Sequence, residues 1–176
     1  DVTLNAYNVA NNEINVTVTY EITISNEAGL SVFHTYYING TELSGSALDN
    51  VTAGTDYLNL EYGVSQTIAK STGTVDYNGT QFDVGQFGVT ADYNANILSM
   101  NGLDVTLIRH NVGAQTVTLR YDLTVYTVVV NEVFFINGIE QTGDAVTNTY
   151  YVSAKDAALT AGLVNGSTTV NGIAAS

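Results

Sequence analysis

Six apolar residues, Ile14, Val16, Val18, Tyr20, Ile22 and Ile24, alternate with Asn15, Thr17, Thr19, Glu21, Thr23 and Ser25. A period of two puts each set on its own face of an extended strand, whereas a helix would scatter both sets around its surface. The segment therefore reads as a β-strand with one buried face. The remaining punctuation points the same way. Asn-Gly, the dipeptide best suited to the positive φ angles of a tight hairpin turn, recurs at 39, 78, 101, 137, 165 and 171, and proline is absent. Many short strands separated by such turns imply an all-β, antiparallel β-sandwich. Proline is one device that stops sheet edges from pairing with other chains, so its absence suits edges that are meant to pair.

Further strands are expected along the chain. Leu30 to Ile38 is apolar and aromatic, turns at Asn39-Gly40 and returns through Thr41-Glu42-Leu43. Residues 44 to 56 are loop-like, and Tyr57 to Val64 resumes a strand. Thr74 to Tyr77 and Thr80 to Val84 flank Asn78-Gly79 as a hairpin. Phe87 to Tyr93 and Ile97 to Met100 are short strands. Ser153 to Leu163 reads as one short helix capped by Ser153.

The chain repeats itself. Asp1-Val2-Thr3-Leu4 returns as Asp104-Val105-Thr106-Leu107. Val16 to Ile24 is mirrored by Val117 to Val125, and Tyr36-Tyr37-Ile38-Asn39-Gly40-Thr41-Glu42 by Phe134-Phe135-Ile136-Asn137-Gly138-Ile139-Glu140. Ala145 and Asn148 fall where Ala47 and Asn50 do. We read two units, about 1–103 and a shorter 104–176. If residues 104 to 112 complete unit one, residues 1 to 9 have no preceding unit in the same chain. They are the expected donor strand for a neighbouring subunit, with Val2, Leu4 and Ala6 on one face and Val9 beyond a bend near Tyr7-Asn8. Residues 1–12 would form this tail and a hinge, and residues 13–176 the β-sandwich head. Strand addition of this kind gains backbone hydrogen bonds, while alternate side chains fill pockets.

Composition narrows the partners. The 176-residue chain is 45% hydrophobic but only 12% charged, with a formal charge of −13 and four basic residues. Nucleic acid and anionic membrane surfaces both need clustered Lys and Arg, so neither is an expected partner. No apolar run is long enough for a membrane-spanning helix, so no membrane insertion is expected. There are no cysteines. A start at Asp1, with no basic or apolar leader, is what signal-peptide removal leaves, so an extracellular location is expected.

The sequon N-x-[ST] occurs at Asn15, Asn39, Asn50, Asn78 and Asn165, making N-linked glycans expected partners. In the second unit, Ile139 removes the sequon at Asn137. Chemistry has little support. The histidines are His34 and His110, and neither a glycine-framed serine nor HExxH is present, so no catalytic residue and no enzyme activity are expected. Asp92-Tyr93-Asn94-Ala95-Asn96 opens like a calcium loop, but Ile97 replaces the needed glycine and Leu103 the bidentate glutamate. No metal or other cofactor is expected there.

Together, the alternating strands, the N-terminal donor candidate, the sequons and the lack of proline and cysteine resemble the archaeal thread-type pilins. These are extracellular filament subunits linked by donor-strand complementation and similar in architecture to bacterial type 1-like pilins. The resemblance implies an immunoglobulin-like or pilin-like sandwich. It also implies a homopolymer built head to tail, with Val2, Leu4, Ala6 and Val9 filling a neighbour's groove, in a pilus serving adhesion, cell–cell contact or biofilm. Two other classes fit the composition: a secreted carbohydrate-binding or adhesion module, and a surface-layer-type calcium-dependent wall protein.

Overall fold

A computed structural model describes residues 17–94, 96–110, 113–142, 146–155, 168–170 and 173–175. The axis of the fold is β1 (Glu27–Ile38), which buries Ala28, Leu30, Val32, Tyr36 and Ile38 on one face. In chain order there follow β2 (Thr41–Glu42), β3 (Val51–Thr52), β4 (Tyr57–Glu61), β5 (Ser65–Thr67), β6 (Thr72–Tyr77), β7 (Thr80–Asp83), β8 (Gly88–Tyr93) and β9 (Leu98–Asn101). The remaining strands are β10 (Asp104–Leu107), β11 (Gln115–Leu123), β12 (Val125–Glu132), β13 (Phe135–Ile136), β14 (Ile139–Glu140), β15 (Val146–Ser153), β16 (Thr168–Val170) and β17 (Ile173–Ala175).

The molecule is an all-β sandwich. One sheet runs β2-β1-β11-β8, with β4 paired to the first half of β1. Sheets β5-β10-β9 and β3-β6-β7 supply the opposing strands. Alternation builds the core between them: Leu119 and Tyr121 of β11 meet Val75, Phe82, Leu98 and Val105 in one buried apolar cluster. Each such side chain removed from water contributes about 1.5–3 kcal/mol before ordering costs. Among the described strands the pairings are antiparallel except that of β1 with β11, which is parallel from Leu30↔Gln115 to Ile38↔Leu123, and an isolated parallel bridge joins Tyr62 to Leu107.

Local turn chemistry explains the hairpins. Asn39, Asn78 and Asn137 hold φ near +50°, and the glycine after each is also left-handed. Asparagine and glycine tolerate that region at the least cost. Gly73, at φ +95°, lies where an added Cβ would strike the Asn50 carbonyl, so β3 and β6 meet closely only because no side chain intervenes. The strand expected from Asp104 pairs within its own subunit, with β5 and β9, though it ends at Leu107.

Two expectations are corrected. Of the strand expected at 14–24, residues 14–16 lie outside the described residues, and Thr17–Ile24 belongs to no sheet among the described residues. The place beside β1 that suits this pattern is taken by β11, and a strand without a ladder partner leaves its backbone groups to water. Nor does a helix begin at Ser153, which ends β15 and accepts a hydrogen bond from the Lys155 amide in a turn. Residues 156 to 163 of that expected helix lie outside the described residues.

Candidate functional site

Thr17–Ser25 keeps the alternation of a half-buried strand but covers neither face. Val18 and Ile24 are 53% exposed, Ile22 is 80% and Tyr20 83%. Four large apolar side chains exposed within seven residues, on a segment in no sheet among the described residues, are more than the single surface hydrophobics a folded protein ordinarily carries. Its sequence copy in the second unit has the opposite fate: Val117, Leu119 and Tyr121 of β11 are fully buried between β1 and β8.

Strand β12 is the counterpart of β1, and the geometry recurs residue by residue. The β1–β2 pairs Ile38↔Thr41 and Tyr37↔Glu42 return as Ile136↔Ile139 and Phe135↔Glu140. The backbone bond from Leu43 N to Tyr36 O returns as Gln141 N to Phe134 O. The β1–β4 register, Glu27↔Glu61 to Ser31↔Tyr57, returns as Val125↔Ser153 to Val129↔Thr149 between β12 and β15. Two things differ: β1 is one strand whereas its counterpart is divided into β12 and β13, with Val133 and Phe134 in neither, and β1 has β11 on its other edge whereas β12 pairs with β15 alone among the described residues. Val128, Val130, Phe134 and Ile136, which stand where β1 has Leu30, Val32, Tyr36 and Ile38, are accordingly only half-buried.

The junction between the two halves is held by Asn39. Its Oδ1 accepts from the Val125 amide at 2.9 Å, and its Nδ2 donates to the Val125 carbonyl at 2.9 Å. The Asn39 amide itself donates to Leu123 O. The side chain thus carries the parallel ladder past the end of β1 and into β12. Among the sequons, Asn50 and Asn78 are exposed, and no side-chain hydrogen bond is described for either, whereas the carboxamide of Asn39 is committed at both ends. Asn15 and Asn165, and the donor residues Val2, Leu4, Ala6 and Val9, lie outside the described residues.

The polar groups in the core form a structural network. The His34 Nε2–H donates to Thr55 O at 2.9 Å, leaving Nδ1 to accept from the Ser71 hydroxyl at 3.0 Å or the Tyr121 hydroxyl at 3.2 Å. The Tyr36 hydroxyl donates to Ser71 Oγ at 2.7 Å, and the Ser71 amide donates to the Tyr121 oxygen. Burial pushes the Tyr36 phenol above its ordinary value, offset in part by the Ser71 bond. The Tyr36 and Tyr121 rings stack at 4.9 Å. The network ties β1, β11 and the 54–71 segment together, and no cavity opens beside it among the described residues.

His110 stacks on Tyr62 at 4.2 Å, away from His34. Asp92 and Tyr93, which open the calcium-like run, end strand β8, and beyond them Asn94 Oδ1 accepts from the Asn96 amide and Asn94 O accepts from Leu98 N. No group of three or more His, Asp or Glu able to hold a metal occurs among the described residues. No helix among them is long and apolar enough to cross a membrane.

Alternation alone reads Val18, Tyr20, Ile22 and Ile24 as the buried face of a strand, and it does not foresee their exposure. The signal was present in the match between 16–24 and 117–125, because two copies of one pattern suit the same structural position. No family model, curated protein or solved structure matches this chain.

Proposed function

We propose that this protein is a structural subunit of an extracellular filament, assembled head to tail when the N-terminal segment of one copy adds to a sheet of the next. The observation that carries the reading is the exposure of Val18, Tyr20, Ile22 and Ile24 on a segment that joins no sheet among the described residues. A segment of this kind gains a ladder and a covered face by entering a second copy. Residues 1–9, with Val2, Leu4, Ala6 and Val9, would continue the donated segment. Because the donating and receiving surfaces differ, such a contact propagates into an open chain. The role is mechanical, in adhesion or cell–cell contact, with no catalytic step. Asn50 and Asn78 are the described sequons best placed to carry N-linked glycans.

The test compares full-length protein with a form lacking residues 1–25, by light scattering and negative-stain microscopy. Linear polymers from the first and monomers from the second are expected. Monomers from both would remove the filament reading and favour a carbohydrate-binding module.

A further inference from the structure

The filament reading leaves open where the donated segment lands. We infer that residues 17–24 of one copy dock parallel to the stretch from the end of β12 through β13 of the next, on the side opposite β15, in the register that β11 adopts on β1. The inference rests on the filament reading but adds a recipient strand and a residue-level register to it.

Three observations carry it. First, β12 reproduces β1: the same hairpin follows it, and β15 pairs with it in the register of β4 on β1. Second, β11 fills the edge of β1 that corresponds to the edge of β12 for which the described residues supply no partner. Third, the segment whose sequence copies β11 is the one left exposed, Thr17–Ser25. A partner that already solves this packing problem inside the molecule defines the chemistry of the partner outside it.

The register follows by transfer. His34↔Leu119, Thr35↔Arg120, Tyr36↔Tyr121 and Ile38↔Leu123 become Glu132↔Val18, Val133↔Thr19, Phe134↔Tyr20 and Ile136↔Ile22. Phe134 and Tyr20 then meet as Tyr36 and Tyr121 do, and Ile22 covers the half-buried Ile136. Asn137 stands where Asn39 does, with the same left-handed backbone, so its carboxamide would hold the backbone of Ile24 as Asn39 holds Val125. The departure is Glu132 at the place of His34; it is bonded to Asn148 and faces Val18 at the rim.

The chain cannot satisfy this register by itself. Only Ser25 and Asn26 separate Ile24 from β1, a reach of about 10 Å. The Val125 end of β12 is tied to Asn39, beyond the far end of the twelve-residue β1, roughly 36 Å away. With the ladder carried past Asn39 into β12, Ile24 could lie against Asn137 only in another copy.

The cysteine-free sequence allows a direct test. Full-length Thr19→Cys and full-length Val133→Cys, one carrying a size tag, are mixed under assembly conditions and oxidised, with unmodified protein assembled in parallel. A hybrid cross-linked dimer is expected for this pair, at least tenfold above that of the mismatched pair Thr23→Cys and Val133→Cys. A double Thr19→Cys, Val133→Cys chain should give a ladder of covalent multimers. Polymers that form without the hybrid, or that cross-link equally in the mismatched pair, would overturn the register while leaving the filament reading standing. An internally cross-linked monomer from the double variant would overturn the inter-chain docking. Unmodified protein that never assembles would remove both.

Discussion

Residues 117–125 and 16–24 carry nearly the same pattern, yet one lies at the centre of the molecule and the other at its surface. β11 has β1 on one edge and β8 on the other, and its inner side chains are fully buried. Thr17–Ser25 has neither neighbour, and Tyr20, the counterpart of Tyr121, is 83% exposed. The difference lies in what each segment can reach. Strand pattern specifies a face to be buried, but the partner that buries it is set by connectivity. β11 enters the sandwich after the rest of unit one has been laid down, whereas the earlier copy precedes every strand it could complete.

That contrast can be broken most severely in the core. Tyr121→Ala should destabilise the monomer by about 3–5 kcal/mol, since it removes a buried ring and leaves a cavity. The same change at Tyr20 should stay within about 0.5 kcal/mol in dilute protein. Urea unfolding of both variants measures the gap, and equal costs would mean that Tyr20 is buried after all.

The next largest effect concerns the junction. Asn39→Ala loses two hydrogen bonds to Val125, about 0.5–1.5 kcal/mol each, and puts alanine, which tolerates the left-handed region less well than asparagine, at a further cost of about 1 kcal/mol. Asn137→Ala should cost the monomer only the backbone share. Asn39→Gly separates the two contributions, because it relieves the backbone and still loses the bonds. If the Asn39 and Asn137 variants unfold alike, the bracing of Val125 adds nothing.

A smaller effect depends on pH. Burial raises the Tyr36 phenol above its ordinary value, so the folded state keeps its proton after the unfolded chain has lost it. Its contribution is complete below that value and falls as pH rises through the folded pKa. Tyr36→Phe should lose about 1 kcal/mol at neutral pH, where the Ser71 bond is missing, and flatten the decline above pH ~10. Chemical denaturation at pH 7 and at pH 10.5 gives the slope; an unchanged decline would place the sensitivity in other tyrosines. The smallest effect belongs to Arg120, which pairs with Asp122 at 2.7 Å and lies over the Tyr37 ring on the outer face. It corresponds to the uncharged Thr19 in the exposed copy. Arg120→Ala should leave the urea midpoint within error, as exposed pairs usually do.

The parts of the fold legible in the sequence were those set locally. Asn39, Asn78 and Asn137 announced their turns because the left-handed backbone is a property of one or two residues. The 72–83 hairpin followed for the same reason. The parallel pairing of β1 with β11 was not legible, because its partners stand far apart in the chain and alternation carries no address. The same limit explains the site. Ile14 to Ile24 was recognised as a strand with a face to bury, and was then assigned to its own subunit, since nothing local says that its place beside β1 is already filled. Asn39 was read as a glycan acceptor from three residues, while its bonds to Val125 depend on a strand in the other half of the chain.

The most direct measurement uses a peptide spanning residues 14–25, added to protein lacking residues 1–25 and followed by backbone hydrogen exchange. The expected result is slower exchange across Val128–Ile136, with β1 unchanged because β11 already occupies its edge. Protection confined to β8, the other outer strand of the first sheet, or no protection anywhere, would contradict the claim that the exposed copy is the missing neighbour of β12.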